Sequence, residues 1–154
     1  MLVTDVRTKG LAEVLAAMGE LPEKPMRAVL RKGLRAATAE VRKSAKRRTP
    51  KDTGALRAAI GSKVATTRDK RVVGIVGART DEKFNRVGPD GRTRKPSNYI
   101  HLVELGTKTL PPVGMLRSAL DSTRSAQLKV FADKAKPEFR KQVNKLRAKR
   151  RSLF

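Results

Sequence analysis

The chain has 154 residues, 38% of them hydrophobic, and its 37 Lys and Arg against 14 Asp and Glu give a formal net charge of +23. That length suits one compact domain, expected to span residues 1–154, and a composition without Trp and with few Phe and Tyr makes its core aliphatic. The absence of Cys excludes disulfides and thiolate zinc sites, the single His excludes a two-histidine centre, and no apolar run approaches the ~20 residues of a membrane span.

The elements follow in chain order. Thr8 opens a short helix over residues 8–19, in which Leu11, Val14, Leu15 and Met18 recur at helical spacing before Gly19. Pro22 and Glu23 suit the first turn of a second helix. Its apolar stripe is Met26, Leu30, Leu34, Ala37, Val41 and Ala45, with Arg27, Arg31, Lys32, Arg35, Arg42, Lys43, Lys46 and Arg47 mostly outside it. Thr49-Pro50 ends this helix near Arg48, and its basic face reads as a solvated face on a core helix, with a groove-lining or ring-interface face as the alternative. Asp52 or Thr53 caps a short turn through Arg57, with Gly54 in the tight bend.

Residues 60–67 alternate on a period of two, and 71–78 form a second β-rich run, so Arg68-Asp69-Lys70 makes an antiparallel hairpin. Gly74 and Gly77 mark a bulge or the close approach of another backbone. Residues 79–98 are rich in Gly, Pro and charge, with Gly88-Pro89-Asp90-Gly91 as turn material; so long a stretch reads as an extended, mobile loop that orders against partners. Residues 99–104 suit a short helix or a strand. Pro111-Pro112-Val113-Gly114 forces an extended turn, and a helix follows over 115–135 with Leu116, Leu120, Leu128, Phe131 and Ala135 on one stripe. Phe139, Val143 and Leu146 continue the period past Pro137, which predicts a kink or break near Ala135, and residues 147–154 read as a frayed basic tail. The fold class is α+β, with N-terminal helices and a long kinked C-terminal helix packed on a small antiparallel sheet.

Catalytic chemistry finds little purchase. Asp52-Thr53-Gly54 matches the aspartic-protease tripeptide, but that site needs paired, buried carboxylates, and here a basic run broken by proline precedes it. His101 stands three residues before Glu104 and could pair with it on a helix; a satisfied structural histidine is the simpler reading. No Gly-rich loop ending in Lys-Ser or Lys-Thr is present. No catalytic residue, metal ligand or cofactor is expected. The positive charge favours polyanions or acidic protein surfaces, yet it is spread along the chain instead of gathered in one arm, and is densest over Arg42–Arg48 and Lys134–Arg151. Without aromatic platforms for bases, what survives of nucleic-acid binding is salt-dependent attraction to phosphate.

Three segments carry a resemblance. Pro50, Asp52, Thr53, Gly54, Leu56 and Ile60 form the first; Tyr99, Val103, Glu104, Gly106 and Thr107 the second; Pro112, Leu116, Arg117, Ala119 and Leu120 the third. In this order they resemble the head–tail joining proteins (neck, tail-completion or minor tail components) of long-tailed double-stranded-DNA phages. Ala59, Leu105 and Met115 depart from the family's usual Ser, aromatic and Phe. The resemblance implies a structural virion protein without enzymatic activity, assembled in a bacterial cytoplasm. It further implies a ring of copies, hexamer or dodecamer, between head connector and tail tube around the DNA channel. Its partners would be connector, tail-tube or tail-terminator proteins. Arg42, Lys43, Lys46, Arg47 and Arg48, with Lys141, Lys145 and Arg147, are the candidates to face DNA or an acidic partner. The competing reading is a non-specific basic nucleic-acid-binding protein.

Overall fold

A computed structural model describes residues 21–50, 54–88 and 91–151. The expected helix over 8–19, the caps at Asp52 and Thr53, the turn residues Pro89 and Asp90, and the tail end 152–154 lie outside the described residues.

Helix α1 spans Glu23–Arg48. The Pro22 carbonyl accepts its first bond, from the Met26 amide at 3.1 Å, and an acidic first turn with a basic last turn complements the helix dipole. At the far end the buried Thr49 donates both its amide and its hydroxyl to the Ala45 carbonyl, at 3.0 and 2.7 Å, and Pro50 has no amide to continue with. A single helical turn, α2 (Ala55–Ala59), opens from Gly54 and leads straight into strand β1 (Ile60–Thr66). Strand β2 (Val72–Ala78) pairs with it. Bonds from the Thr67 amide to Arg71 at one end and from the Arg79 amide to Ala59 at the other make the pair antiparallel, with Lys70 in the left-handed region at the turn. The expected hairpin is present.

The 79–98 segment is more structured than an extended loop. It holds a 3-10 turn (Glu82–Phe84) and a second small hairpin, β3 (Arg86–Val87) with β4 (Thr93–Arg94), in the register Arg86↔Arg94 and Val87↔Thr93. Residues 99–104 belong to a helix, α3 (Pro96–Leu105), with proline in its first turn. Helix α4 covers Met115–Ser122, and α5 runs Arg124–Arg151. Near Ala135, where a kink or break is expected, α5 runs on without a break, and the C-terminal helical stretch is divided at Thr123. There the hydroxyls of Ser122 and Thr123 reach back to the Ala119 carbonyl at 3.3 and 2.7 Å, the kind of local bond that competes with a continuing helix. Pro137 sits inside α5, and the helix continues past Leu146 to Arg151, where a frayed tail was expected.

The described chain forms two compact units. The first takes residues 21–37, Val64–Val73 and the chain from Ser125 onward. Its core is Val29 and Ala135, both fully buried, with Leu21, Met26, Leu30, Phe131 and Phe139 packed around them. Gly33 sits in the middle of α1 because the Phe131 ring lies against it: a Cβ there would stand 2.6 Å from two ring carbons. An alanine at Gly33 gains ~1 kcal/mol of helix propensity but meets an overlap costing ~1–3 kcal/mol. Gly33→Ala is expected to destabilise by about 1 kcal/mol in urea denaturation, and to become stabilising in a Phe131→Leu background. A stabilising effect in both backgrounds would contradict this packing.

The second unit takes Thr38–Lys63 and Gly74–Arg124. Its core gathers Val41, Ala45, Leu56, Ile60, Met115 and Ala119, with Val76, Ala78, Tyr99, Ile100, Val103 and Leu116 against them. Ile60 and Met115 are the largest fully buried side chains here, each contributing ~1.5–3 kcal/mol by leaving water. Close approach in this hairpin occurs at Gly61, where the Arg79 side chain lies across the strand, whereas a Cβ at Gly77 would meet open space.

Candidate functional site

The three sequence segments meet in the second unit. Leu56 and Ile60 come from the first segment, Tyr99 and Val103 from the second, and Leu116 and Ala119 from the third; all belong to one apolar cluster. Met115, read as a departure from a usual Phe, is fully buried at its centre. Leu120, expected on the apolar stripe, is 52% exposed. Helix α4 faces the core with Met115, Leu116 and Ala119, and Leu120 falls outside that face. Pro50 and Gly54 are exposed, the latter at a φ of 71°.

Beyond this core the second segment builds a corner. Helix α3 ends when the Gly106 amide bonds the Leu102 carbonyl at 2.9 Å, and Gly106 turns the chain at a φ of 79°. The Thr107 amide then donates to the Leu110 carbonyl at 2.9 Å, while the Thr107 hydroxyl accepts from the Thr109 and Leu110 amides at 3.3 and 3.1 Å. The chain comes back along α3, with the Val113 amide on the Val103 carbonyl at 3.0 Å and the Gly114 amide on the Glu104 carbonyl at 3.1 Å.

Glu104 closes the corner. Helix α4 starts from Gly114, which has no side chain to cap the free amides of the first turn. The Glu104 carboxylate does so from the neighbouring helix, accepting from the Leu116 amide through Oε2 at 2.8 Å and from the Arg117 amide through Oε1 at 2.9 Å. Charge-assisted bonds to the positive end of a helix dipole are among the stronger polar contacts a chain can make. His101, for which a satisfied structural role is the simpler reading and a pairing with Glu104 the alternative, is exposed, while both Glu104 oxygens are engaged with α4.

The same corner leaves apolar side chains in solvent. Leu102 and Leu105 share one face of α3, and with Leu110 and Val113 they are exposed, Leu105 at 75% and Leu110 at 63%. A recess of about 520 Å³ lies in the same unit, lined by Ala55, Val87, Arg94, Lys95, Tyr99 and Val103; Val87 is itself 70% exposed.

The basic candidates fall in both units. On α1, Lys43, Arg47 and Arg48 are exposed, and Arg42 and Lys46 half-buried. Lys43 pairs with Glu40 at 2.9 Å, and Arg48 donates to the Ser122 hydroxyl at 2.8 Å. On α5, Lys141, Lys145 and Arg147 are exposed; the first two share a face, and Arg147 points elsewhere. A second basic cluster lies on the N-terminal half of α1, where Arg27, Arg31, Lys32 and Arg35, read in the sequence as part of the helix's basic face and not among the candidates to face DNA, come together with Lys24.

Among the described residues no group of His, Asp and Glu could hold a metal ion, and no helix is long and apolar enough to cross a membrane. Neither the curated proteins nor the solved structures give a significant match to this chain. One family model does, described as "Bacteriophage HK97-gp10, putative tail-component", and it covers residues 12–106. That span is more than half of the chain and takes in the first segment and the second as far as Gly106. The chain belongs to the HK97-gp10-like family of bacteriophage tail components.

Proposed function

We propose that this tail-family protein is a head–tail joining component, a protomer of a ring set between the head connector and the tail tube around the DNA channel. It would act structurally and not as an enzyme, and its place would be the mature virion. The observation that carries this reading is the corner at 102–113, where a braced turn holds Leu102, Leu105, Leu110 and Val113 in solvent. Apolar side chains fixed on a rigid support are what an interface needs. An apolar projection, and on the same subunit a recess whose floor includes Ala55, Val87, Tyr99 and Val103 beside Arg86, Arg94 and Lys95, favour head-to-tail contact between copies, the arrangement that closes into rings. A chain carrying +23 repels its own copies, and an uncharged patch is where that repulsion is least.

The test is the double variant Leu105→Asp, Leu110→Asp. Both side chains are already exposed, so melting should stay close to that of the wild type. Sedimentation should show the ring-forming species lost, and phage carrying the variant should accumulate filled heads without tails. Complete infectious particles lacking this polypeptide would end the proposal. The second reading, a non-specific nucleic-acid-binding protein, draws on the overall charge; it requires tight DNA binding by the unassembled chain with normal tail assembly in its absence.

A further inference from the structure

We propose that a groove between α1 and α5, within the first unit, binds the sugar-phosphate backbone of double-stranded nucleic acid without regard to base sequence. The groove has a volume of about 490 Å³, and Lys24, Arg27, Arg31, Lys32 and Arg35 line it against one acidic residue, Glu138. Lys24, Arg27, Arg31 and Arg35 recur every three or four residues, one cation per turn along the helix, spaced ~5–6 Å. The wall is ordered from outside: Glu23 holds the Arg27 guanidinium, and Arg31 donates to the Thr66 hydroxyl at 2.9 Å. Glu138 is held in turn by the Gln142 amide at 2.7 Å. Exposed Lys134, Lys141 and Lys145 share the face of α5 that carries Glu138 and extend the positive rim.

The lining selects the ligand class. A row of regularly spaced cations matches a polymer with a repeating charge, and guanidinium groups take phosphate oxygens in two-pronged fashion. An acidic protein partner would look for apolar or aromatic anchors, and of the lining only Ala28 is apolar. The missing aromatic surface also removes the platforms on which single-strand binders stack bases. A duplex held by its phosphates alone is what remains, and it can slide past, since no base is read.

The inference is independent of the ring: Leu105→Asp, Leu110→Asp touches the other unit and leaves the groove intact. The test measures binding of the full chain to a random-sequence duplex of about 30 base pairs, over a series of salt concentrations. Each phosphate contact adds about −0.9 to the slope of log K against log salt. The variant Lys24→Gln, Lys32→Gln should flatten that slope by about two and weaken binding at low salt roughly tenfold, alike for unrelated sequences. A charge-matched control in the second unit, Lys63→Gln, Lys108→Gln, both exposed and outside the groove, should leave the slope nearly unchanged. Circular dichroism melts confirm that each variant is folded. Equal losses in both variants would overturn the inference, because attraction would then be diffuse. So would an absence of wild-type binding at low salt, or displacement of DNA by polyglutamate at matched charge concentration.

Discussion

Replacing Gly106 by alanine is expected to destabilise the protein by about 3–5 kcal/mol, the largest effect of any single methyl group on the corner. Two costs add. At a φ of 79° an L-residue is strained whatever surrounds it. The new Cβ would also stand 2.8 Å from both the Leu110 carbonyl oxygen and the Pro112 nitrogen, and 3.0 Å from the Pro112 ring. Those neighbours are backbone and a closed ring, so no side chain can swing away to make room. The turn itself must open, breaking the Thr107–Leu110 and Val113–Val103 bonds that return the chain to α3. For a chain of this length ~2–4 °C of melting temperature accompanies each kcal/mol, so the expected drop is about 10 °C. Gly77→Ala provides the control: a Cβ there meets nothing within 4 Å, and its melt should stay near that of the wild type. A Gly106→Ala protein that melts with the control would show that the corner is not held by this turn.

The same contrast explains what could be read in the sequence. Helix α1 was legible at both ends because proline punctuates it, and the first hairpin was legible because its strands are long enough for alternation to show. The second hairpin was not, since strands of two residues leave no period to detect and Arg86↔Arg94 pairing depends on the turn between them. The C-terminal helix misled in two ways. Pro137 predicts a kink or break, yet the helix runs through it, and Phe131, Ala135 and Phe139 on either side in sequence share a cluster with Val29, Met26 and Leu30, which offsets the lost amide bond. The real break, at Thr123, comes from hydroxyls bonding back to Ala119, a choice no hydrophobic pattern records. Within α4 a helix of only 8 residues cannot set its own phase; its Met115 faces inward because Gly114 and Glu104 set the angle at which the helix starts. The groove cations of α1 were visible one by one, but their common wall exists only once α5 supplies the other side.

Glu104 is the second substitution with a large expected effect, and it separates charge from packing. Glu104→Ala leaves the Leu116 and Arg117 amides without their acceptor; because the site is only half-buried, water replaces part of what is lost. Two charge-assisted bonds and the dipole contact, discounted for that exposure, come to about 2–3 kcal/mol. Glu104→Gln keeps the length and volume but offers a single oxygen and no charge, so one amide would face the donor end of the side chain; about half of the loss is expected. Glu104→Asp is the sharper comparison. It keeps the charge and removes one methylene, and a carboxylate that no longer reaches α4 should behave almost like alanine. Urea denaturation ranks the three, and hydrogen exchange at the Leu116 and Arg117 amides reports the cap directly, since both should exchange faster in proportion to the stability lost. If aspartate were as good as glutamate, simple attraction to the helix dipole would suffice and the two-pronged cap would be unnecessary. If alanine were neutral, the corner would be held by its turn alone. Between those outcomes lies the arrangement described, in which one carboxylate joins the end of α3 to the start of α4, and so ties the exposed leucines to the core beneath them.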